Sequence, residues 1–187
     1  MSKNEVIVDT VRSKLTREED LRIVDWLTQP PIDFSSQNND YIRRRQPGTG
    51  QWFLESDKYQ SWVKSDKQTL FCPGIPGAGK TILASVVIDD LCRRWHKDTT
   101  IGVAYIYCSY RLQENHTTEQ LLSSLLKQLV QNQVVLPTNV KQLYDTHQAT
   151  KTRPSCDEIV STLHSTITTY SKVYIVIDAL DEAPATD

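Results

Sequence analysis

A glycine-rich turn followed by lysine and threonine is the stretch of this sequence best suited to chemistry. It lies within residues 69–83, TLFCPGIPGAGKTIL, and has the spacing GxxxxGK[ST]. Apolar residues before the turn predict a strand, and the apolar period after it predicts a helix. An ordinary glycine-rich turn would need neither element. Backbone N–H groups of such a loop can surround a phosphate at a helix N-terminus, where the helix dipole favours an anion. We therefore predict a phosphate-binding loop formed by Gly74, Ile75, Pro76, Gly77, Ala78, Gly79, Lys80 and Thr81.

Lys80, Thr81 and a distant aspartate are the predicted partners of the phosphates and of Mg²⁺. In loops of this kind the lysine reaches the β- and γ-phosphates, and the hydroxyl holds the metal. Residues 172–182, KVYIVIDALDE, predict a buried parallel strand that ends in acids. Because ligands bind at the carboxyl ends of such strands, we expect Asp178 to meet the loop and to hold the Mg²⁺ shell through water. The alternative is that Asp178 only caps the next turn.

Two further acids follow at the same strand end. Asp181 or Glu182 could orient a water for hydrolysis, and their spacing does not decide between them. The expected cofactors are ATP or GTP with Mg²⁺. The sequence does not show which purine is preferred.

The composition excludes several classes of protein. A net charge of −2 gives no electrostatic footprint for nucleic acid or for an anionic membrane. No apolar run approaches the ~18 residues of a membrane span, and the first residues lack a signal-peptide core. The 4 cysteines are dispersed without CxxC spacing, so neither a zinc site nor a disulfide framework is indicated. We therefore expect a cytoplasmic protein that binds neither nucleic acid nor membrane.

The order of the predicted elements indicates an α/β protein with a short helical N-terminal segment. A capping box at Thr16 and Glu19 predicts a first helix that ends before Pro30, and residues 32–45 have the composition of a linker. The expected domains are an N-terminal helix and linker over residues 1–45 and an α/β domain over residues 46–187. Strands are predicted near Leu70, Ile101 and Val173. Further helices are predicted behind Trp52 and over residues 80–95, 118–130, 137–147 and 156–170.

Residues 21–182 resemble the NACHT nucleoside triphosphatases of the STAND class of P-loop NTPases. The similarity is to the nephrocystin-type form found in fungal NOD-like receptors with ankyrin or WD repeats. It rests on four stretches: RRRQPGTGQWFLESDKYQSW, LFCPGIPGAGKTILASVVIDDL, YIYCSYRLQENHTTEQLLSSLLKQL and VYIVIDALDEA. The last, the Walker B motif, is the most specific, because Ala179 follows the aspartate directly and an acidic pair comes after it.

The resemblance implies a three-layer α/β/α P-loop fold with a parallel sheet, with three of its five strands present in this chain and the Walker B strand between the other two. It implies that the turn Gly48, Thr49 and Gly50, with the helix behind it, closes over the nucleotide base. It also implies a signalling switch in non-self recognition or programmed cell death. Such a switch exchanges a diphosphate for a triphosphate and self-associates through its NACHT domains.

Family members continue beyond the Walker B motif with further strands, a sensor residue and repeats. We therefore expect this chain to be a truncated receptor with very slow or no turnover. Two other functions stay open. One is a small P-loop kinase or phosphotransferase, which would need an acceptor pocket and a lid. The other is a non-catalytic fragment that acts through protein contacts alone.

Overall fold

The computed structural model describes residues 17–108 and 117–183, and their contacts separate into two compact units. Unit 1 takes in residues 17–32 and 119–168. Unit 2 takes in residues 33–108, 117–118 and 169–183. The protein is mixed α/β, mostly helical, with a small parallel sheet in unit 2. No helix in the described ranges is long and apolar enough to cross a bilayer.

Unit 1 is built from helices. They are α1 (residues 17–27), α6 (Thr118–Val130), α7 (Thr138–Thr150) and α8 (Cys156–Ile167). The predicted helices are confirmed, although α7 runs three residues past the predicted end and α8 stops three residues before it. Ser155 begins α8 with a capping box, in which its hydroxyl accepts from the Glu158 N–H and its own N–H donates to the Glu158 carboxylate. The predicted capping residue Thr16 lies outside the described residues.

Within unit 1, one arginine ties the end of α1 to the loop before α8. The Arg153 guanidinium donates to the backbone oxygens of Trp26 at 2.8 Å and Leu27 at 3.1 Å, and it lies 5.0 Å from the centre of the Trp26 ring. These carbonyls are among those that a helix C-terminus leaves without an intrahelical donor. Arg153 therefore satisfies two of these carbonyls and links the end of α1 to the loop before α8.

Unit 2 contains the predicted loop and both strands. Its elements are α2 (Phe34–Arg44), α3 (Gln51–Leu54), α4 (Asp57–Lys64), α5 (Lys80–Trp95), β1 (Ile101–Tyr107), β2 (Lys172–Asp178) and a 3₁₀ turn (Leu180–Glu182). The two strands are parallel, with Ile101 opposite Lys172 and Tyr107 opposite Asp178. Both strands therefore end at the same edge of the sheet, as the sequence predicted for Asp178.

The core of unit 2 lies between α3, α4 and α5 and one face of the sheet. Tyr59 is fully buried there and donates its hydroxyl hydrogen to Oδ2 of Asp90 at 2.7 Å. Lys172 at the start of β2 donates through Nζ to the carbonyls of Val63 and Ser65, at 2.9 and 2.7 Å. The Lys172 hydrogen bonds therefore link the end of α4 to the start of β2, and α5 packs in the same core.

The prediction that residues 32–45 form a linker is wrong. Most of the segment is helix α2, which Asp33 caps by accepting a hydrogen bond from the Ser36 N–H at 2.9 Å. Asn38 is buried, and its side-chain oxygen accepts from the Tyr107 hydroxyl at 2.6 Å. The Asp33 cap and the buried Asn38–Tyr107 hydrogen bond therefore stabilise α2, although few of its residues are apolar. The proposed division at residues 45 and 46 stays a prediction.

The prediction of a strand near Leu70 is also wrong. Residues 68–75 form no strand, and in the described part of the chain the sheet has two strands instead of the three expected. The Leu70 side chain packs against the core of unit 2, whereas Phe71 is 82% exposed. Pro73 has no N–H to donate to a neighbouring strand. The three-layer P-loop fold therefore stays a prediction.

Candidate nucleotide site

The predicted phosphate loop leads directly into α5. Gly79 is the N-cap residue with φ 84°, and Gly77 has φ 79°, so both adopt the left-handed conformation that glycine permits. The Lys80 ammonium donates to the backbone oxygens of Gly74 at 2.7 Å and Ile75 at 3.2 Å. The lysine side chain therefore lies back along the loop that precedes it.

The structure brings the loop to the end of β2. The Thr81 side chain and the charge of the Lys80 ammonium both act on the Asp178 carboxylate and lower its pKa. Asp178 is only 8% exposed. Asp178 is far from Lys80 and Thr81 in the sequence, and their meeting was predicted from the rule that strand ends and loops converge at one edge of the sheet.

Burial disfavours the ionised form of the Asp178 carboxyl group. Loss of solvation raises its pKa, and the negative charge of Glu182 raises it further. The Thr81 side chain, the Lys80 charge and the Ala179 N–H lower the pKa of Asp178 without cancelling the rise. An added cation beside Asp178 would therefore stabilise the ionised form.

The two further acids lie next to Asp178. Ala179 has φ 53° and turns the chain, so that Asp181 and Glu182 fall in the 3₁₀ turn directly after β2. The charge of Glu182 acts on the Asp178 carboxylate. Both acids stay candidates for orienting a water.

Cys108 is a residue of this edge that sequence reasoning missed. Its N–H donates to the Asp178 carbonyl at 3.0 Å, which extends the pairing of β1 and β2 by one residue. Burial raises the pKa of the Cys108 thiol, and Asp178, Glu182 and Asp181 add to the rise. The thiol therefore stays protonated and is a poor nucleophile. Its position as the last residue of the apolar run that predicted β1 was the signal that could have found it.

The turn Gly48, Thr49 and Gly50 lies against α5. Gly50 has φ 81°, and a Cβ added there would lie 3.2 Å from Cγ1 of Val86 and 3.5 Å from Cδ1 of Leu83. The turn therefore packs on the helix that carries the phosphate loop. Closure of this turn over a base stays a prediction.

The described residues contain no group of three or more His, Cys, Asp or Glu side chains arranged to hold a metal. Thr81 and Asp178 alone could supply only a partial shell. Mg²⁺ commonly takes one or two protein ligands and completes its shell with water and phosphate oxygens. The residues present therefore fit Mg²⁺ that arrives with a phosphate ligand, and their role as ligands stays a prediction.

Comparison with known proteins shows the family to which the chain belongs. Residues 48–187, which include the loop, Asp178 and both further acids, match the family described as Nephrocystin 3, N-terminal. The chain belongs to this family. The nephrocystin-type resemblance is confirmed at that level, while the assignment as a P-loop NTPase stays a prediction.

The chain is also similar to a curated fungal protein. The chain is 30% identical over 138 residues to the vegetative incompatibility protein HET-E-1 of Podospora anserina. The alignment covers 70% of this chain and 10% of that protein, so this nephrocystin-type chain corresponds to a small part of its relative. No solved structure matches the chain.

Proposed function

We propose that this chain is the nucleotide-binding part of a signalling receptor and that it binds ATP or GTP together with Mg²⁺. The observation that carries the proposal is the buried Asp178 carboxylate, on which Thr81 and Lys80 at the N-terminus of α5 both act. A lone glycine-rich turn would not require a buried carboxylate at that point. The signalling role rests on the nephrocystin-type family and on the similarity to a vegetative incompatibility protein.

Each residue has a role that follows from its present contacts. Lys80, now hydrogen-bonded to carbonyls of the loop, would instead pair with the β- and γ-phosphates. Thr81 and Asp178 would hold the Mg²⁺ shell. Mg²⁺ supplies positive charge to the phosphate oxygens, and the same charge would relieve the desolvated Asp178 carboxylate. Asp181 and Glu182, which directly follow β2, are the two candidates for the acid that orients a water.

Thermal melting with and without millimolar Mg-ATP or Mg-GTP tests the proposal. At a hundred times its dissociation constant a ligand stabilises the folded state by ~2.7 kcal/mol. For a chain of this size that corresponds to a rise in Tm of about 5–10 °C. Lys80→Ala should abolish the rise. Lys127→Ala should keep it, because Lys127 lies on α6 of unit 1 and pairs with Asp25.

The absence of a shift with either nucleotide would refute the proposal, and so would a shift that Lys80→Ala leaves unchanged. A chelator supplies a further control. Removal of Mg²⁺ with EDTA should reduce the shift in the native chain, because the Asp178 contact to the nucleotide then loses its metal.

A role through protein contacts alone is the second candidate function. It is favoured by the outer edge of β2, which pairs with no other strand in the described residues, and by Ile175 and Ile177, which are 37% and 41% exposed. Unpaired strand edges favour pairing with another chain. Self-association that neither nucleotide nor Lys80→Ala alters would support this candidate over the first.

A further inference from the structure

His147 is a buried titratable residue that the nucleotide site does not use. It lies in the last turn of α7 and is 7% exposed. Its Nδ1 lies 2.7 Å from the hydroxyl oxygen of Thr152, and its Nε2 lies 3.3 Å from Oε1 of Glu158. The ring also stacks on the Trp26 ring, with the ring centres 6.3 Å apart. One side chain of unit 1 therefore contacts α1, α8 and the loop that joins α7 to α8.

The hydroxyl groups beyond His147 determine which atom of the Thr152 contact carries the hydrogen. The Thr150 hydroxyl donates to the Thr146 carbonyl at 3.0 Å, and its oxygen lies 2.7 Å from the Thr152 hydroxyl oxygen. A hydroxyl group has one hydrogen to donate. Since the hydrogen of Thr150 is used on Thr146, the Thr152 hydroxyl must donate to Thr150. The hydrogen between Thr152 and His147 then belongs to Nδ1 of the ring.

The Glu158 contact requires a second N–H on the same ring. Hydrogen bonds from the Ser155 N–H and hydroxyl lower the pKa of Glu158, and the charge of His147 lowers it further. An ionised carboxylate only accepts hydrogen bonds, so the hydrogen of this contact belongs to Nε2. All of these contacts are therefore made together only when His147 carries a hydrogen on both nitrogens. A neutral ring has one N–H, so one hydrogen bond of the set must be given up.

The surroundings of His147 carry charges of both signs. From α8, the Glu158 carboxylate attracts a protonated ring, and so does the negative end of the α7 dipole. The loop after α7 carries the cations Lys151 and Arg153, and the Arg153 guanidinium lies 5.0 Å from the centre of the Trp26 ring. The contact from α1 is Trp26 itself, which has no charge. Because Glu158 contacts the ring directly, the charge of a protonated His147 is paired, as buried charges in proteins generally are.

We propose that His147 is a proton-operated switch of unit 1: the doubly protonated ring joins α7 to Glu158 and to Thr152, and loss of one proton breaks this set of contacts. Histidine is the side chain that ordinarily changes charge between about pH 5 and pH 8, so the switch responds in the physiological range. In the neutral form the remaining N–H stays on Nε2, since Glu158 needs a donor. The Thr152 hydroxyl then donates to Nδ1, the Thr150 hydroxyl donates to Thr152, and the Thr146 carbonyl loses its bond from Thr150.

NMR of the ring nitrogens reads the charge state of His147 directly in the whole chain. A ring with two N–H groups and the two neutral forms with one N–H have distinct ¹⁵N shifts. In a titration from about pH 5 to about pH 9 we expect His147 to pass from the doubly protonated form to the Nε2–H form. The backbone amide signals of residues 150–158 should shift with the same midpoint, because their hydrogen bonds change with the ring. Exposed His96 and His164 serve as reference rings.

Thr150→Val tests the hydroxyl chain, because Thr150 hydrogen-bonds with Thr152 rather than with the ring. Without the Thr150 hydroxyl, Thr152 can donate to Nδ1 at no loss, so the neutral ring no longer gives up a contact. The titration midpoint of His147 should fall by about 0.4–1 pH unit, the equivalent of one net hydrogen bond. Thr146→Val is the matched control, since it removes an exposed hydroxyl of the same helix that donates to the Gln142 carbonyl. It should leave the midpoint unchanged.

Glu158→Gln is a second variant, which removes the charge that pairs with the ring. Glutamine keeps a side-chain oxygen for the Ser155 capping box. Because an amide attracts a protonated ring less than a carboxylate does, the midpoint of His147 should fall further than in Thr150→Val. Equal midpoints in Glu158→Gln and the native chain would show that the ion pair does not hold the proton, and the inference would fail.

The native chain and the threonine variants supply the remaining outcomes. A native His147 that is neutral at about pH 5.5, where His96 and His164 are protonated, would overturn the inference. Equal midpoints in Thr150→Val and Thr146→Val would overturn it too, because the hydroxyl chain would then have no effect on the ring. Amide signals of residues 150–158 that do not follow the ring would show that His147 binds a proton without switching any contact, which also contradicts the inference.

Discussion

Replacing Gly50 by alanine tests whether the turn of residues 48–50 is held by its contact with α5. The backbone of Gly50 has φ 81°, a left-handed conformation that costs a residue with a Cβ about 1–2 kcal/mol. The new Cβ would also lie 3.2 Å from Cγ1 and 3.4 Å from Cγ2 of Val86. Val86 is fully buried, so its methyl groups have little room to move. Overpacking of this kind costs about 1–3 kcal/mol.

Gly48→Ala is the matched control, because it isolates the backbone cost. Gly48 also has φ 81°, but a Cβ added there would meet nothing within 4 Å. In both variants about 0.4–1 kcal/mol of this destabilisation is offset, because alanine lowers the conformational entropy of the unfolded chain relative to glycine. We therefore expect the free energy of unfolding to fall by about 0.5–1 kcal/mol for Gly48→Ala and by about 2–4 kcal/mol for Gly50→Ala.

Urea denaturation followed by far-UV circular dichroism measures both values. For a chain of this size each 1 kcal/mol corresponds to about 2–4 °C in Tm, so thermal melting should separate the two variants by several degrees. The slope of the urea transition should be the same in both, because neither change alters the surface exposed on unfolding. Equal destabilisation by the two substitutions would refute the packing of the turn on α5.

Three further predictions concern the site and the sheet. Because burial raises the pKa of Asp178, the free energy of unfolding should fall as the pH rises from the ordinary aspartate range to above the folded pKa. Asp178→Asn should therefore raise the nucleotide-free Tm at neutral pH and remove the Mg²⁺ dependence of binding, and a lowered Tm would contradict this reasoning. Phosphate release should be slower than about 1 per second, at the low end of enzyme turnover; faster release that Asp181→Asn or Glu182→Gln abolishes would show a complete catalytic site. The isolated chain should self-associate at micromolar concentration in sedimentation experiments, and a stable monomer that melts cooperatively above about 55 °C would show that the strand edge is covered.

Local patterns in the sequence were sufficient for most of the helices and for two strands. The GxxxxGK[ST] spacing fixed the start of α5, and the leucine period of residues 118–130 gave α6 with its observed bounds. The apolar runs beginning at Ile101 and Lys172 predicted β1 and β2. These features succeed because each depends on residues within a few positions of one another. The contact of Thr81 with Asp178 then followed from the direction of the strands.

Helix α2 was missed because its stabilising contacts come from distant parts of the chain. Asn38 is buried by its hydrogen bond with Tyr107, and the Tyr41 ring lies 5.0 Å from the Tyr107 ring, centre to centre. Neither contact produces a periodic apolar pattern within residues 32–45. The serines and asparagines of that segment favour turns when considered alone.

The error at Leu70 shows what an apolar run leaves undetermined. Such a run predicts burial of side chains, and Leu70 is packed against the core of unit 2. A strand also requires a second backbone at about 4.8 Å, and no short-range pattern specifies that neighbour. Residues 68–75 pair with no strand among the described residues, so the unpaired edges of the sheet are the outer edges of β1 and β2. Thr81 and Lys80 act on the Asp178 carboxylate all the same. The meeting of the loop with Asp178 therefore depends on the packing of α5 against the sheet and does not require the preceding segment to be a strand.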